Sequence, residues 1–366
     1  MKISLTPSSK QLTPKRAGIF DPYLDTIGGG ERYCLTVVEA LLKKNWQVDV
    51  FWPDKEIKEK LVKKFNLEID RVNFVSYSPC KNNLFNKWRF ERKYDLLFYL
   101  SDGSIPMMFG RKNLLHFQVP FKNLKLSIKD KLKLKMIDKI ICNSFFTKKV
   151  IDEEIGTSSL VIYPPVDIHI LKPFKKESII ISVGRFSQLL QNKRQDILIE
   201  VFRNLVDEEK LKGWKLILAG GSEVGSQEFL KKIKIMARGY PIEIHQNPSF
   251  TKLTKFYGEA KIFWTASGYG VDEEINPEKV EHFGITTVEA MAAGCVPIVM
   301  DKGGQREIVV ENENGFFWRE KNDLAKKTLS LIQNEKLLQQ ISKEAVVRSG
   351  DFSKTIFCQK IYDLIK

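Results

Sequence analysis

An α/β protein with two parallel-sheet domains is what this sequence predicts, and three observations carry that reading. Short apolar runs alternate with longer helical patterns along the chain, as expected for strands joined by crossover helices. At 366 residues the chain exceeds the size at which one hydrophobic core keeps growing. Near its middle, Tyr163-Pro164-Pro165 is stiff and extended, because proline disfavours helix in the residue before it. These place a first domain at residues 1–170, a boundary near 168–176 and a second domain at residues 175–348.

In the first half the strands fall at Arg16–Asp21, Gln47–Trp52, Val72–Tyr77, Tyr94–Leu100, Asn113–Gln118, Lys139–Asn143 and Leu160–Tyr163. Helical stretches such as Gly30–Lys44 and Lys55–Phe65 lie between them. The second half repeats the alternation, with strands at Ser178–Val183, Trp214–Ala219, Ile242–His245, Lys261–Thr265 and Cys295–Met300. Its helices are Gln195–Leu205, Ser226–Met236, Leu253–Gly258 and Ile285–Ala293, and the tail Ser353–Leu364 is amphipathic.

Composition narrows the class. The 43% apolar and 11% aromatic content is that of an ordinary globular protein. No run approaches the ~18 apolar residues of a membrane span, and Met1-Lys2-Ile3-Ser4 leads into polar residues rather than an apolar signal core. The five cysteines are scattered without a Cys-x-x-Cys pair, which suits reduced thiols in a cytosolic protein. Net charge is +14, of which +10 belongs to residues 1–170. Such an excess attracts nucleic acid, phospholipid headgroups or phosphorylated substrates; a lysine-rich genome would produce the same bias. No nucleic-acid-binding motif accompanies the charge, so nucleic acid is not expected as a partner.

The chemistry concentrates in Glu281-His282-Phe283-Gly284-Ile285-Thr286-Thr287-Val288-Glu289, followed by Ala290-Met291-Ala292-Ala293-Gly294. Gly284 lets the chain turn tightly into a helix, so the free amides of Ile285, Thr286 and Thr287 point at whatever lies in front of it, a ready anion site. Glu289 stands three residues beyond Thr286, on the same helical face. An acceptor-only carboxylate beside a phosphate-binding helix start suits ribose or sugar hydroxyls. Elsewhere Gly28-Gly29-Gly30 precedes a helix and can bring backbone amides close to phosphate or sugar oxygens, or can be a plain strand-to-helix turn. It fails the dinucleotide fingerprint, since Tyr33 stands where the third glycine is needed. Arg185 follows a strand and Lys193 follows eight residues later, and two cations in such loops can neutralise a diphosphate leaving group.

Residues 281–294 resemble the signature of the retaining glycosyltransferases of family four, and the resemblance extends over most of the chain. It includes Gly28-Gly29-Gly30-Glu31-Arg32, Ile141-Cys142-Asn143-Ser144, Val161-Ile162-Tyr163-Pro164-Pro165-Val166-Asp167 and Ser182-Val183-Gly184-Arg185. The resemblance implies a GT-B fold, two facing Rossmann-like domains with an interdomain cleft, and a C-terminal helix at about 350–366 packing back on the first domain. It further implies that Glu281 contacts the transferred sugar, that Glu289 binds the nucleotide ribose, and that Gly29 and Gly30 face the donor. An arginine and a lysine replace the metal: Arg185 with Lys193, Ser187–Gln191 reading as an insertion in the usual shorter spacing, and Arg194 is the alternative to Lys193. Family members often carry a histidine aimed at the sugar, and here either His116 takes that place or Gln118 replaces it.

The expected activity is transfer of a hexose from a nucleoside-diphosphate sugar to a saccharide or lipid-linked acceptor, with no cofactor and no metal ion. The chain has no Asp-x-Asp pair, its four histidines form no close-spaced ligand set, and no nucleophile elbow is present. The alternative is a non-catalytic nucleotide or sugar binder of the same fold. Gly268–Pro277 reads as a mobile polar lid or as a solvated excursion. Lys122–Lys139 carries seven lysines among apolar residues. It suits an anionic membrane surface, or a solvated helix packed by its apolar face. The expected location is cytoplasmic, free or peripheral on the membrane's cytoplasmic face.

Overall fold

The computed structural model describes residues 14–26, 28–65, 67–77, 83–188, 191–222 and 225–366. The start Met1–Ser4, Cys80 and part of the Ser187–Gln191 insertion therefore lie outside the described residues. Two parallel sheets organise the chain. The first comprises β1 (Arg16–Phe20), β2 (Gln47–Val50), β3 (Asn73–Phe74), β4 (Leu96–Leu100), β5 (Lys112–Phe117), β6 (Lys139–Cys142) and β7 (Leu160–Val161), ordered β3-β2-β1-β4-β5-β6-β7. The second comprises β8 (Glu177–Val183), β9 (Lys215–Gly220), β10 (Ile242–Gln246), β11 (Ala260–Trp264), β12 (Val296–Met300) and β13 (Phe316–Trp318), ordered β10-β9-β8-β11-β12-β13. In each sheet the order reverses beside its first strand, between β1 and β4 and between β8 and β11. Open α/β sheets place their ligand crevice outside the carboxyl ends at that reversal.

Helices α1 (Gly29–Lys43), α2 (Ile57–Phe65), α3 (Leu84–Glu91), α4 (Ile128–Leu134) and α5 (Phe145–Ile155) accompany the first sheet. The second carries α6 (Gln195–Asp207), α7 (Gln227–Ala237), α8 (Phe250–Glu259), α9 (Ile285–Ala292), α10 (Gln305–Ile308), α11 (Lys321–Gln333) and α12 (Glu335–Ser349). Central strands such as Leu96–Leu100 and Val296–Met300 are fully buried apolar runs, because helices cover both faces. One face of the first sheet packs on α1 and α2, and the other packs on Phe90 of α3, Leu134 of α4 and Ile151 of α5.

The last helix, α13 (Lys354–Ile365), leaves the second sheet and returns to the first. Phe357, Ile361 and Ile365 join the core under α1, and Lys354 Nζ lies 2.7 Å from a Glu39 carboxylate oxygen. At the crossing, the Val166 amide donates to the Phe352 carbonyl at 3.1 Å and the Lys354 amide to the Val166 carbonyl at 2.9 Å. The two crossings between the halves are thereby tied to each other. Truncating Phe357 to Ala should cost about 3–5 kcal/mol of stability in urea denaturation, the usual penalty for removing a buried aromatic ring.

His116 corrects an expectation. Along β5, Leu114 and His116 point to the α1 side, while Leu115 and Phe117 point to the opposite core. The imidazole is fully buried, stacked 4.0 Å from the Tyr33 ring, with Nδ1 3.1 Å from the Ile141 carbonyl. It belongs to the first domain's interior and does not face a donor sugar. Burial lowers its pKa from 6.5 to about 3. The unfolded imidazole takes up a proton below about 6.5 and the folded one only near 3, so this residue's contribution to stability is lost as pH falls through that window. Compared with His116→Gln, the wild type should lose about 2 kcal/mol more between pH 7 and pH 5 in chemical denaturation.

Candidate functional site

The carboxyl ends of the two sheets meet at the starts of α1 and α9. A side chain on Gly29 would come within 3.1 Å of Ile285 Cδ1, and one on Gly30 within 2.6 Å of Gln118 Oε1. The absence of a side chain at Gly29 thus eases the approach of the two helix starts, and its absence at Gly30 makes room for Gln118 of the same half. Gly28 caps α1, with its amide donating to Glu31 Oε2 at 2.5 Å. Gln118, two residues past His116 and beyond the strand end, donates its amide nitrogen to the Gly30 carbonyl at 3.1 Å. Of the two alternatives at this position, Gln118 is the one at the junction.

Gly284 caps α9 with φ +118°, a conformation L side chains rarely adopt, and a Cβ there would meet the Gln305 side chain at 2.9 Å. Thr287 departs from expectation. Its amide already closes on the Gly284 carbonyl at 3.0 Å, and its fully buried hydroxyl donates to Gln305 Oε1 at 2.9 Å. The anion-facing amides of the first turn are thus those of Ile285 and Thr286. Gly303 and Gly304, unnoticed in the sequence, back this turn. A Cβ on either would lie 2.2–2.3 Å from the carbonyls of Glu281 and His282, and the Gly304 amide donates to the Glu281 carbonyl at 2.8 Å.

Both signature carboxylates are paired. Lys193 Nζ lies 2.7 Å from Glu281 Oε2, with both side chains largely buried. Burial pushes the Glu281 carboxyl up, but Lys193, aided by Arg185, outweighs it and holds the group below the usual carboxylate range. Arg194 is committed elsewhere: it bonds Asp196 and the Tyr269 carbonyl and lies over the Tyr269 ring. Arg185 is exposed at the end of the β8 strand, and its charge is felt by both Glu281 and Glu31. Glu289 receives Arg32 Nη1 at 2.8 Å on one oxygen and the Tyr257 hydroxyl at 3.1 Å on the other.

Three further contacts were not legible in the sequence. His282 lies between the carbonyls of Gln118 (3.0 Å) and Glu278 (3.1 Å), one from each half, and burial lowers its pKa to about 4. A neutral imidazole donates to only one of them. Glu307 on α10 accepts the amides of Phe145 and Phe146 at the start of α5, at 2.8 and 2.7 Å. The loop Gly268–Pro277 is held at its middle. Glu273 takes the Gly303 amide and Arg306, while Lys122 of the first half donates to the Glu274 carbonyl and Lys149 pairs with the Glu274 carboxylate. It is a bridge rather than a solvated excursion.

The family profile described as Glycosyl transferases group 1 matches residues 166–348, and that described as Glycosyltransferase Family 4 matches residues 27–170. A GDP-Man:Man(3)GlcNAc(2)-PP-Dol alpha-1,2-mannosyltransferase of Dictyostelium discoideum is 21% identical over 98% of this chain and 86% of its own length. The alpha-1,3/1,6-mannosyltransferase of Neurospora crassa is 26% identical over 63% of this chain but only 56% of its own length. Among solved structures, the Anabaena protein HepE in complex with UDP superposes with TM-score 0.74 at 18% identity, covering 96% of this chain and 99% of that one. A glycosyltransferase from Rickettsia africae gives TM-score 0.75 at 18% identity, covering 96% and 98%. With both profiles matched in sequence order and two parallel-sheet halves meeting at α1 and α9, the chain belongs to the group 1, family 4 glycosyltransferases and has their GT-B fold.

Proposed function

We propose that this glycosyltransferase moves a hexose from a nucleoside-diphosphate sugar to a saccharide or lipid-linked acceptor, retaining the anomeric configuration and using no metal ion. The observation that carries the reading is the Lys193–Glu281 pair set at the mouth of α9, with Glu289 one turn inside the same helix. In this reading the second half holds the donor. Glu289 takes the ribose hydroxyls, and the Ile285 and Thr286 amides, with Gly29 and Gly30 opposite, cradle the diphosphate. Arg185 and Lys193 neutralise the charge that grows on the leaving diphosphate, where fixed cations in a dry site act most strongly. Glu281, kept ionised by Lys193, orients the sugar hydroxyls. The acceptor enters on the first half, and the departing diphosphate takes up its hydroxyl proton on the same face of the sugar.

The printed names of the relatives support the hexose and the lipid-linked acceptor, since the Dictyostelium enzyme is named for GDP-mannose and a dolichol-diphosphate glycan. Among the described residues no helix is long and apolar enough to cross a membrane. The proposed partner surface is therefore an anionic bilayer, met by the basic first half.

Retention is tested by proton NMR of the product: an anomeric coupling matching the donor's supports the reading, and inversion contradicts it. Because Glu289 meets the ribose, Glu289→Gln should weaken nucleoside-diphosphate binding by about 1–3 kcal/mol in calorimetry, and unchanged affinity would reject that assignment. Turnover should survive excess EDTA; loss that manganese or magnesium restores would overturn metal independence.

A further inference from the structure

Basic and apolar side chains stand together on the outer faces of α3 and α4. On α3, Leu84, Phe85 and Trp88 are exposed, Phe85 at 64%, and the Phe85 and Trp88 rings stack at 5.7 Å. Arg92 lies over the Trp88 ring at 5.3 Å. On α4, Ile128 and Leu132, one turn apart, are 80% and 58% exposed. The two helices cover the same face of the first sheet, because Phe90 and Leu134 anchor them in one core. Their outward apolar residues therefore crown one layer.

The charge around them is unusual in the same way. Residues 83–93 hold four cations and one acid, and residues 122–139 hold seven cations and two acids, so 29 residues carry +8 of the chain's +14. Lys133 pairs with Asp130 and Lys87 with Glu91. No ion pair is formed among the described residues by exposed Arg89, Arg92, Lys93, Lys125, Lys129, Lys131 or Lys135. Exposed apolar side chains mark a surface that meets something apolar, and unneutralised cations mark one that meets anions. Leu84, Ile128 and Leu132 have neither hydrogen-bonding groups nor π-faces with which to read nucleic acid bases. A lipid bilayer with anionic headgroups satisfies both demands, with tryptophan at the interface and lysines above it.

We propose that α3 and α4 form one docking face for an anionic membrane, with Phe85 and Trp88 of α3 inserting among the headgroups and the flanking cations holding the phosphates. The proposal rests on the anionic-bilayer reading above and adds the inserting element to it. It explains how a chain with no spanning helix among its described residues would reach a lipid-linked acceptor. The lysine-dense stretch is then only half of the surface: just Ile128–Leu134 is helical, and Leu124, Leu126, Leu134 and Ile137 are spent on the core.

The full chain is mixed with vesicles of phosphatidylcholine containing roughly one-third phosphatidylglycerol at low salt, and binding is read by sedimentation and tryptophan emission. Wild type should sediment with these vesicles, release on added salt, and ignore pure phosphatidylcholine. Its emission should shift to the blue, and Trp88→Phe should remove that shift while still binding. Phe85→Ser with Trp88→Ser should bind at least about tenfold more weakly, with its melting midpoint and nucleoside-diphosphate affinity unchanged. Sedimentation of this double variant equal to wild type, or no wild-type binding at all, overturns the proposal. So does concentration-dependent dimerisation that the double variant abolishes, since the face would then meet a second copy. Donor hydrolysis by the same samples reports separately on glycosyl transfer, which stands or falls independently of docking.

Discussion

The junction of the two halves is built around two largely buried carboxylates, each of which needs a cationic partner. A buried charge without a partner is costly, by several kcal/mol even after relaxation. Lys193 meets that demand for Glu281 within the second half, and Arg32 meets it for Glu289 from the first. The second pair joins the halves through Glu289 itself. In the proposed donor pose a ribose at Glu289 would have to share it with, or take it from, Arg32, which would couple donor binding to the placement of the halves through a single side chain. Glycines clear the space around them: Gly29 lets α1 approach Ile285 at the start of α9, and Gly303 and Gly304 let their loop lie against the carbonyls of Glu281 and His282.

The fold was largely legible in the alternation of apolar runs. All seven strands of the first sheet were located, though several are shorter than read, as at Val72–Tyr77, where only Asn73–Phe74 pairs. What pairing trims is the strand end that outruns its neighbour, and hydropathy does not register a neighbour. β13 escaped notice because three residues, Phe316–Trp318, carry no period. α11 and α12 escaped because polar residues dominate their exposed faces, and α3 and α5 because apolar residues that face outward, such as Phe85, Trp88 and Phe145, blur the inward stripe.

The site was legible where chemistry is local. Glu281, Gly284 and Glu289 lie in one short segment, and Lys193 stands in the loop that follows the β8 strand, although its pairing with Glu281, 88 residues away, was not read. It was not legible where the partner is distant in sequence. Arg32 is 257 residues from Glu289, and Glu307 is about 160 from the α5 amides it caps. His116 misled because a histidine at a strand end reads the same whether it faces the crevice or the core. The side on which the strand's alternation placed it decided the matter, and Gln118 fell at the rim instead.

The central claim is that these residues form a working glycosyl-transfer site rather than a nucleotide holder. The most direct measurement is release of nucleoside diphosphate when the protein is incubated with a panel of nucleotide sugars, wild type beside Glu281→Gln. The account predicts slow release from at least one donor by the wild type, and loss of release in the variant with nucleotide affinity retained. Tight donor binding with no release by the wild type, with or without added glycan acceptors, would contradict it and leave a binding protein of the same fold.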